Sequence, residues 1–253
     1  MKISVVTAVY NRAGTLRAAI DSVQAQTYPN IEHVIQDGGS SDGTLDVARE
    51  AATSSTVIVS ERDDGIYDAI NRGISNATGD AIGLMHSDDF FAGPHVIDKI
   101  AAALADPAID GVYGDLQYVA ADAPERVIRH WKSGEYSAAK LRQGWMPPHP
   151  TLYLRREVFD RLGLYDTGLQ IAADYDAMLR YLVKGGVKLA YIPEVLVKMR
   201  VGGESNRSLE RIVQKSREDL TAIRRNGVGG VGVLIQKNLR KVGQFFVKDT
   251  SGQ

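Results

Sequence analysis

Short apolar runs alternate with amphipathic stretches through the first ninety residues. Ile3–Val9 is a β-branched, apolar run that predicts a strand. After Asn11, the stretch Thr15–Gln26 sets Leu16, Ala19, Ile20 and Val23 on one helical face, and Tyr28-Pro29-Asn30 ends it. Ile31–Gln36 reads as a second strand, Thr44–Ala52 as a helix and Thr56–Ser60 as a third strand. Tyr67–Asn76 has helical spacing, and Gly79-Asp80 leads into a fourth strand, Ala81–His86, which stops at Ser87-Asp88-Asp89. Such repeated strand–helix units predict an α/β fold with a largely parallel sheet.

The pattern continues less regularly. A helix is expected at Pro94–Leu104, a strand at Gly111–Tyr118 and an extended piece at Arg126–Trp131. Pro147, Pro148 and Pro150 remove backbone donors and fix φ, so Trp145–Pro150 is expected as a shaped loop without regular structure. Thr151–Leu154 reads as a strand, Arg156–Leu162 as a short helix, Ala173–Gly185 as a longer one and Val187–Ile192 as a final strand. There is no internal repeat and no low-complexity segment.

Composition narrows the function classes. The 253 residues are 44% hydrophobic and contain no cysteine, which excludes a disulfide scaffold, a cysteine nucleophile and thiolate metal sites. A reducing compartment fits, and the cytoplasm is the expected location. No run approaches the roughly 18 apolar residues of a membrane span, and the apolar stretch at the amino terminus is too short for a signal peptide.

The formal net charge of −1 argues against a nucleic-acid partner but conceals an asymmetry. From Glu210 to Gln253 there are nine Lys/Arg against four Asp/Glu. Within this tail Ile235, Leu239, Val242 and Phe246 share one helical face, and Lys237, Lys241 and Lys248 another. Two readings stand: a terminal helix packed on the domain, or a helix on an anionic membrane surface held by its basic residues and Phe245-Phe246. Gly227–Gly232 would be its hinge.

Candidate chemistry collects at strand ends, where open α/β sheets bind ligands. Asp37 follows the second strand and Asp88-Asp89 the fourth. Adjacent carboxylates repel unless solvated or neutralised, so this pair suits a divalent cation bridging to phosphate, or the capping of the next helix. The loop Gly38–Thr44 offers glycines and hydroxyls before a helix, as a phosphate cradle or an ordinary turn would. It has neither the GxxxxGK[ST] nor the GxGxxG pattern.

The ordered set of segments carries a resemblance. Ser4-Val5-Val6-Thr7-Ala8-Val9-Tyr10-Asn11, Gln36-Asp37-Gly38-Gly39-Ser40-Ser41-Asp42-Gly43-Thr44, Asp64-Gly65-Ile66-Tyr67-Asp68-Ala69-Ile70-Asn71-Arg72-Gly73, Ala77-Thr78-Gly79-Asp80 and Ser87-Asp88-Asp89 succeed one another. His149-Pro150-Thr151 and Ala172-Ala173-Asp174-Tyr175-Asp176 follow. Over residues 3–206 the chain resembles the inverting glycosyltransferases of family 2, of the bacterial surface-polysaccharide type.

The resemblance implies a GT-A fold, a Rossmann-like mixed, mostly parallel sheet flanked by helices. It implies a glycosyltransferase domain over residues 1–206, with a nucleotide-sugar half at 1–100 and an acceptor half at 101–206. Residues 207–253 would form a basic helical extension. Thr7, Tyr10 and Asn11 would line the nucleotide pocket, Asp37 would accept a hydrogen bond from the base, and Asp88 would face the ribose. Asp89 would hold Mn²⁺ or Mg²⁺ against the diphosphate, and Tyr67, Asp68 and Asn71 would approach the donor phosphate and sugar.

Asp174 takes the place of the general base, and Asp176, two residues on, is expected to point elsewhere. Trp145 would offer its ring to the acceptor sugar or anchor the core, and His149 would contact the acceptor. The chain departs from relatives in having proline after His149, and Arg200 where many carry histidine; Gly202 and Gly203 there suit a mobile lid. The expected activity is transfer of a sugar from a nucleotide-diphosphate sugar, UDP being the commonest, to a saccharide or lipid-linked acceptor, with membrane contact through the tail. A sugar nucleotidyltransferase and a non-catalytic nucleotide-sugar scaffold are the alternatives.

Overall fold

A computed structural model describes residues 1–201 and 209–243. The expected lid glycines Gly202 and Gly203, together with Phe245, Phe246 and Lys248, lie outside the described residues, as do the side chains of Lys241 and Val242.

The strands are β1 (Ile3–Val9), β2 (Ile31–Asp37), β3 (Thr56–Ser60), β4 (Ala81–Leu84), β5 (Phe90–Phe91), β6 (Gly111–Val119), β7 (Val127–Trp131), β8 (Tyr153–Arg155) and β9 (Leu189–Arg200). The helices are α1 (Ala13–Gln24), α2 (Thr44–Ala51), α3 (Ile66–Asn76), α4 (Val96–Ala103), α5 (Ala138–Leu141), α6 (Arg156–Leu162), α7 (Ala173–Leu179), α8 (Leu209–Arg225) and α9 (Val231–Gly243).

Among the described residues all nine strands join one sheet in the order β3-β2-β1-β4-β8-β6-β9-β5, with β7 added to β6 beyond the end of β8. Parallel pairing runs from β3 to β4 and again between β6 and β9, while β8, β5 and β7 run antiparallel to their neighbours. The mixed, mostly parallel α/β architecture read from the sequence is therefore present.

Helices cover both faces, so the central strands are apolar on alternate sides. Val6, Ala8, Val34, Ile82 and Leu84 pack with α3, α6 and α7, whereas Ile3, Val5, Ala81 and Met85 pack with α1 and α4. Burial on both faces is why β1 reads as a continuous apolar run rather than an alternating one. Among the described residues no helix is long and apolar enough to cross a membrane.

Three expectations need correction. The prolines do shape a loop at Trp145–Pro148, but His149–Thr151 then closes a turn of 3₁₀ helix, with Pro150 in the first turn, where a missing N–H costs nothing. The last strand does not end at Ile192. Its register on β6 jumps from Gly114↔Ile192 to Asp115↔Val195, so Pro193-Glu194 bulges out and pairing resumes to Arg200. The helix from Ala173 changes to a π turn at Arg180–Lys184.

Candidate active site

The chain builds outward from β1 to β2 and β3, then returns to place β4 on the other side of β1. The crevice at the carboxyl ends of β1 and β4 is a topological switch point, where an open α/β sheet binds its ligand. Tyr10 and Asn11 leave β1 on one side of it, and His86–Asp89 leave β4 on the other.

Tyr10 is 59% exposed beside this crevice. Asn11 takes φ +50° and ties the rim together: its N–H donates to Ser40 Oγ (2.8 Å) and its Oδ1 accepts from Ser41 N–H (2.9 Å). Thr7, expected to line the nucleotide pocket, is fully buried on a strand covered on both faces, with Oγ1 3.0 Å from His33 Nε2. Asp37 is likewise fully buried. Both of its oxygens accept bonds from its own neighbourhood, from Gly39 N–H, from the N–H and hydroxyl of Ser40 and from the Ser60 hydroxyl. In this arrangement the carboxylate expected to meet the base shapes the loop.

Beyond β4, Asp88 is half-buried and Asp89 wholly buried. Asp89 Oδ1 accepts from Arg200 N–H (3.2 Å), while its Oδ2 is buried without a partner. Burial, and then the Asp88 carboxylate beside it, hold Asp89 well above the usual carboxylate range, with Arg200 opposing. A buried acceptor with no donor is costly, and a cation at Oδ2 would relieve it, so the donor set fits a hard divalent ion. No trio of His, Cys, Asp or Glu suited to a metal occurs among the described residues, so the remaining ligands would come from a bound phosphate and water. The Arg200 guanidinium donates to the Asp88 carbonyl (2.9 Å) and lies 5.0 Å over the Phe90 ring.

Asp174 stands in the first turn of α7, its side chain 28% exposed. Oδ1 accepts from Tyr175 N–H (2.7 Å) and lies 3.3 Å from the Tyr67 hydroxyl, which also donates to the Ile171 carbonyl at 2.8 Å. Oδ2 faces His149 Nδ1 at 4.0 Å. Burial above all raises Tyr67 beyond any working pH, so it remains a donor. Burial, with help from His86, lowers His149 to about 4 against the pull of Asp174, so its imidazole is neutral. Its Nε2 meets the Tyr165 hydroxyl at 2.8 Å, and its ring centroid lies 6.1 Å from that of His86. His86 feels both Asp88 and Asp174, and so links the two carboxylate clusters.

Three more expected contacts are internal braces. Tyr67 is buried and stacks on Tyr165 at 6.0 Å. Asn71, on the same face of α3, engages both backbone groups of Tyr165. Asp68, in the first turn of α3, accepts from Asp64 N–H and pairs with Arg72 at 2.8 Å. Trp145 is buried against Tyr113 and Tyr136 with Nε1 donating to the Ser133 carbonyl, the arrangement of the core-anchor reading.

Asp176 points away from Asp174, fully buried against Arg225 and Asn226 of the carboxyl-terminal segment. The sequence reading missed His86, Tyr165 and Glu218. Glu218 Oε2 accepts from the N–H groups of Ile171 and Ala172 (2.7 and 3.0 Å), just before α7. His86, adjoining Ser87-Asp88-Asp89 at a strand end, carried the one local signal; the other two act over long sequence separations.

The family model "Glycosyl transferase family 2" matches residues 4–163. A "PGL/p-HBAD biosynthesis glycosyltransferase" of Mycobacterium bovis is 28% identical over 252 residues, covering 98% of this chain and 94% of that protein. Among solved structures, Staphylococcus aureus TarS 1–349 in complex with UDP-GlcNAc superposes with a TM-score of 0.70 at 17% identity, over 90% of this chain and 66% of that one. This chain spans 44% of the longer TarS chain. The mannosyltransferase PcManGT of Pyrobaculum calidifontis, in complex with GDP-Man and Mn²⁺, gives 0.64 at 18% identity, over 98% of this chain and 76% of that one.

Proposed function

The chain belongs to glycosyl transferase family 2 and has the GT-A fold, and from that premise we propose that it transfers a sugar, with inversion, from a nucleoside-diphosphate donor to a hydroxyl of a saccharide or lipid-linked saccharide. One observation carries the reading: two carboxylates of different character, Asp89 with an unpartnered buried oxygen and Asp174 with Oδ1 held and Oδ2 turned toward His149, with His86 feeling the charge of both Asp88, the neighbour of Asp89, and Asp174.

In this reading the donor diphosphate lies toward Asp89 and the acceptor hydroxyl toward Asp174. Asp89 Oδ2 would hold a Mn²⁺ or Mg²⁺ ion, which when bound neutralises the charge that develops on the leaving diphosphate. Asp174 Oδ2 takes the acceptor proton as the acceptor oxygen bonds to the anomeric carbon and the bond to the diphosphate breaks. Tyr67 and the Tyr175 N–H hold Oδ1, which leaves Oδ2 to work. His149, neutral and tethered to Tyr165, borders the acceptor side without competing for the proton. Tyr10 offers an exposed ring to the nucleobase, and a UDP-sugar is the first donor to test.

The reading extends to the site of action, the cytoplasmic face of a membrane bearing the acceptor. Its support is α9, where Val231, Ile235 and Leu239 are each more than half exposed at successive fourth positions.

Titration calorimetry with UDP, GDP, dTDP and CDP, each with Mn²⁺ and with chelator, tests the donor half. Metal-dependent binding of one diphosphate is expected, and Asp89→Asn should weaken it. Asp174→Asn should keep that affinity and lower transfer roughly 10²–10⁴-fold. Retained transfer would move the base elsewhere, and unchanged affinity of Asp89→Asn with and without metal would remove Asp89 from its role.

A further inference from the structure

Asp37, the carboxylate at the end of β2, is sealed by its own loop, yet the rim beside it does not lack a carboxylate. The next residue is Gly38, and a Cβ built there would lie 2.3 Å from Oδ2 of Asp63 and 3.0 Å from its Cγ. Asp63, from the segment after β3, occupies the space that a side chain at position 38 would fill.

Its carboxylate is aimed. Oδ1 accepts from the N–H of Gly65 (2.9 Å), the residue preceding α3. No other hydrogen bond reaches Asp63 among the described residues, so Oδ2 is an open acceptor. Asp63 is half-buried, whereas Arg62 and Asp64 on either side are exposed. The register Val9↔Asp37↔Ser60 brings the segments after β1, β2 and β3 to one rim. Tyr10, the first residue past β1, stands exposed on that rim.

An exposed aromatic face and a carboxylate with one free oxygen on the same rim suit a flat heterocycle that stacks on the ring and donates an N–H from its edge. Uracil, thymine and guanine carry such an imino N–H, whereas the matching nitrogen of cytosine is an acceptor and would face the carboxylate lone pair to lone pair. Building on the donor reading above, we propose that Asp63 reads the nucleobase, accepting the imino N–H of a uridine, thymidine or guanosine diphosphate, and that residue 38 is glycine because Asp63 needs the space.

The test is titration of wild type, Asp63→Asn and Gly38→Ala with UDP, dTDP, GDP and CDP in Mn²⁺, with melting curves to confirm that each variant is folded. In Asp63→Asn the amide oxygen keeps the Gly65 N–H bond and turns an NH₂ donor to the base. Wild type should bind one imino-bearing nucleotide roughly ten- to hundredfold more tightly than CDP, the worth of a hydrogen bond to a charged group. Asp63→Asn should lose that margin by weakening the preferred nucleotide while leaving CDP no weaker. Gly38→Ala, which pushes Asp63 aside, should weaken the preferred nucleotide as well. Wild-type affinity in folded Asp63→Asn, or a wild-type preference for CDP, would overturn the assignment of Asp63 alone. Binding of no diphosphate by wild type would overturn the donor reading, and this inference with it.

Discussion

Asn71 holds both backbone groups of Tyr165, 94 residues away: its Nδ2 donates to the Tyr165 carbonyl (2.8 Å) and its Oδ1 accepts from the Tyr165 N–H (2.9 Å). Asn71→Ala leaves both groups unpaired in a half-buried setting, and should cost about 1–3 kcal/mol. Asn71→Asp keeps the acceptor but sets a carboxylate oxygen against the Tyr165 carbonyl, so it should be no better than alanine. Denaturant titration checks both; two variants within about 0.5 kcal/mol of wild type would mean that the brace carries no weight.

Asn71 also marks where sequence reading stopped. The early strands and helices were legible because each is a local pattern: β3 was bounded to the residue, and Leu16, Ala19, Ile20 and Val23 are the buried face of α1. Asp89 and Asp174 were legible as acidic residues at element ends. What local pattern does not encode is the partner across the fold. Thr7, Tyr67 and Asn71 have the side chains of ligand contacts, but their polar atoms meet His33, Ile171 and Tyr165. Pro193 gave a correct local signal, a missing donor, but the strand passed it in a bulge, and β5 is too short to leave any signal.

The Tyr67 hydroxyl lies 3.3 Å from Oδ1 of Asp174, the carboxylate proposed as the base, and in that reading it positions the carboxylate. Tyr67→Phe keeps the ring stacked on Tyr165 and removes only the oxygen shared by Ile171 and Asp174. The expected outcome is unchanged donor affinity and a transfer rate lowered about tenfold, the cost of losing one hydrogen bond at the base. Steady-state kinetics with separate donor titration reads the split; a rise in donor Kd with an unchanged rate would return Tyr67 to the donor pocket.

Lys237 is the buried residue of α9 that the amphipathic pattern assigned to a basic outer face. Its Nζ lies 2.6 Å from Asp219 Oδ1 and 3.3 Å from the Tyr175 ring centroid, with both charged side chains under 5% exposed. The helix thus turns a lysine inward and leaves Ile235 and Leu239 outside. Lys237→Ala strands the Asp219 carboxylate and should cost about 3–5 kcal/mol, whereas replacing both residues by Met and Leu should be neutral or stabilising. Gly144, at φ +74°, approaches so closely that a Cβ would lie 2.5 Å from Lys237 Cα, so Gly144→Ala should destabilise as well. Equilibrium unfolding of the three variants and wild type checks the ranking.

The outer stripe of α9 predicts membrane binding that depends on both charge and apolar contact. The protein should sediment with anionic vesicles and much less with zwitterionic ones. Ile235→Gln with Leu239→Gln should abolish sedimentation while changing the melting temperature little, since both side chains are more than half exposed. Equal recovery of wild type and the double variant would exclude this face.

Stability should fall in two steps on acidification, because two kinds of buried group titrate differently. Burial lowers His33 from 6.5 to about 4, and does the same to His149. Below pH 6.5 the unfolded chain takes up protons that the folded one refuses, so stability declines from there to about pH 4. Glu32 acts further down. Burial pushes it up, but bonds from Lys2, Ser4 and Thr78 together outweigh burial and bring it from 4.5 to about 2. Its contribution is complete above pH 4.5 and is lost as pH falls toward 2. Glu32→Gln should therefore flatten the loss below pH 4.5 and leave the slope between pH 6.5 and 4.5 unchanged. His33→Gln should do the reverse, reducing the upper slope and sparing the lower. Urea unfolding at half-unit intervals from pH 7 to 3 separates the two, and a single slope altered equally by both variants would show that neither group governs the acid response.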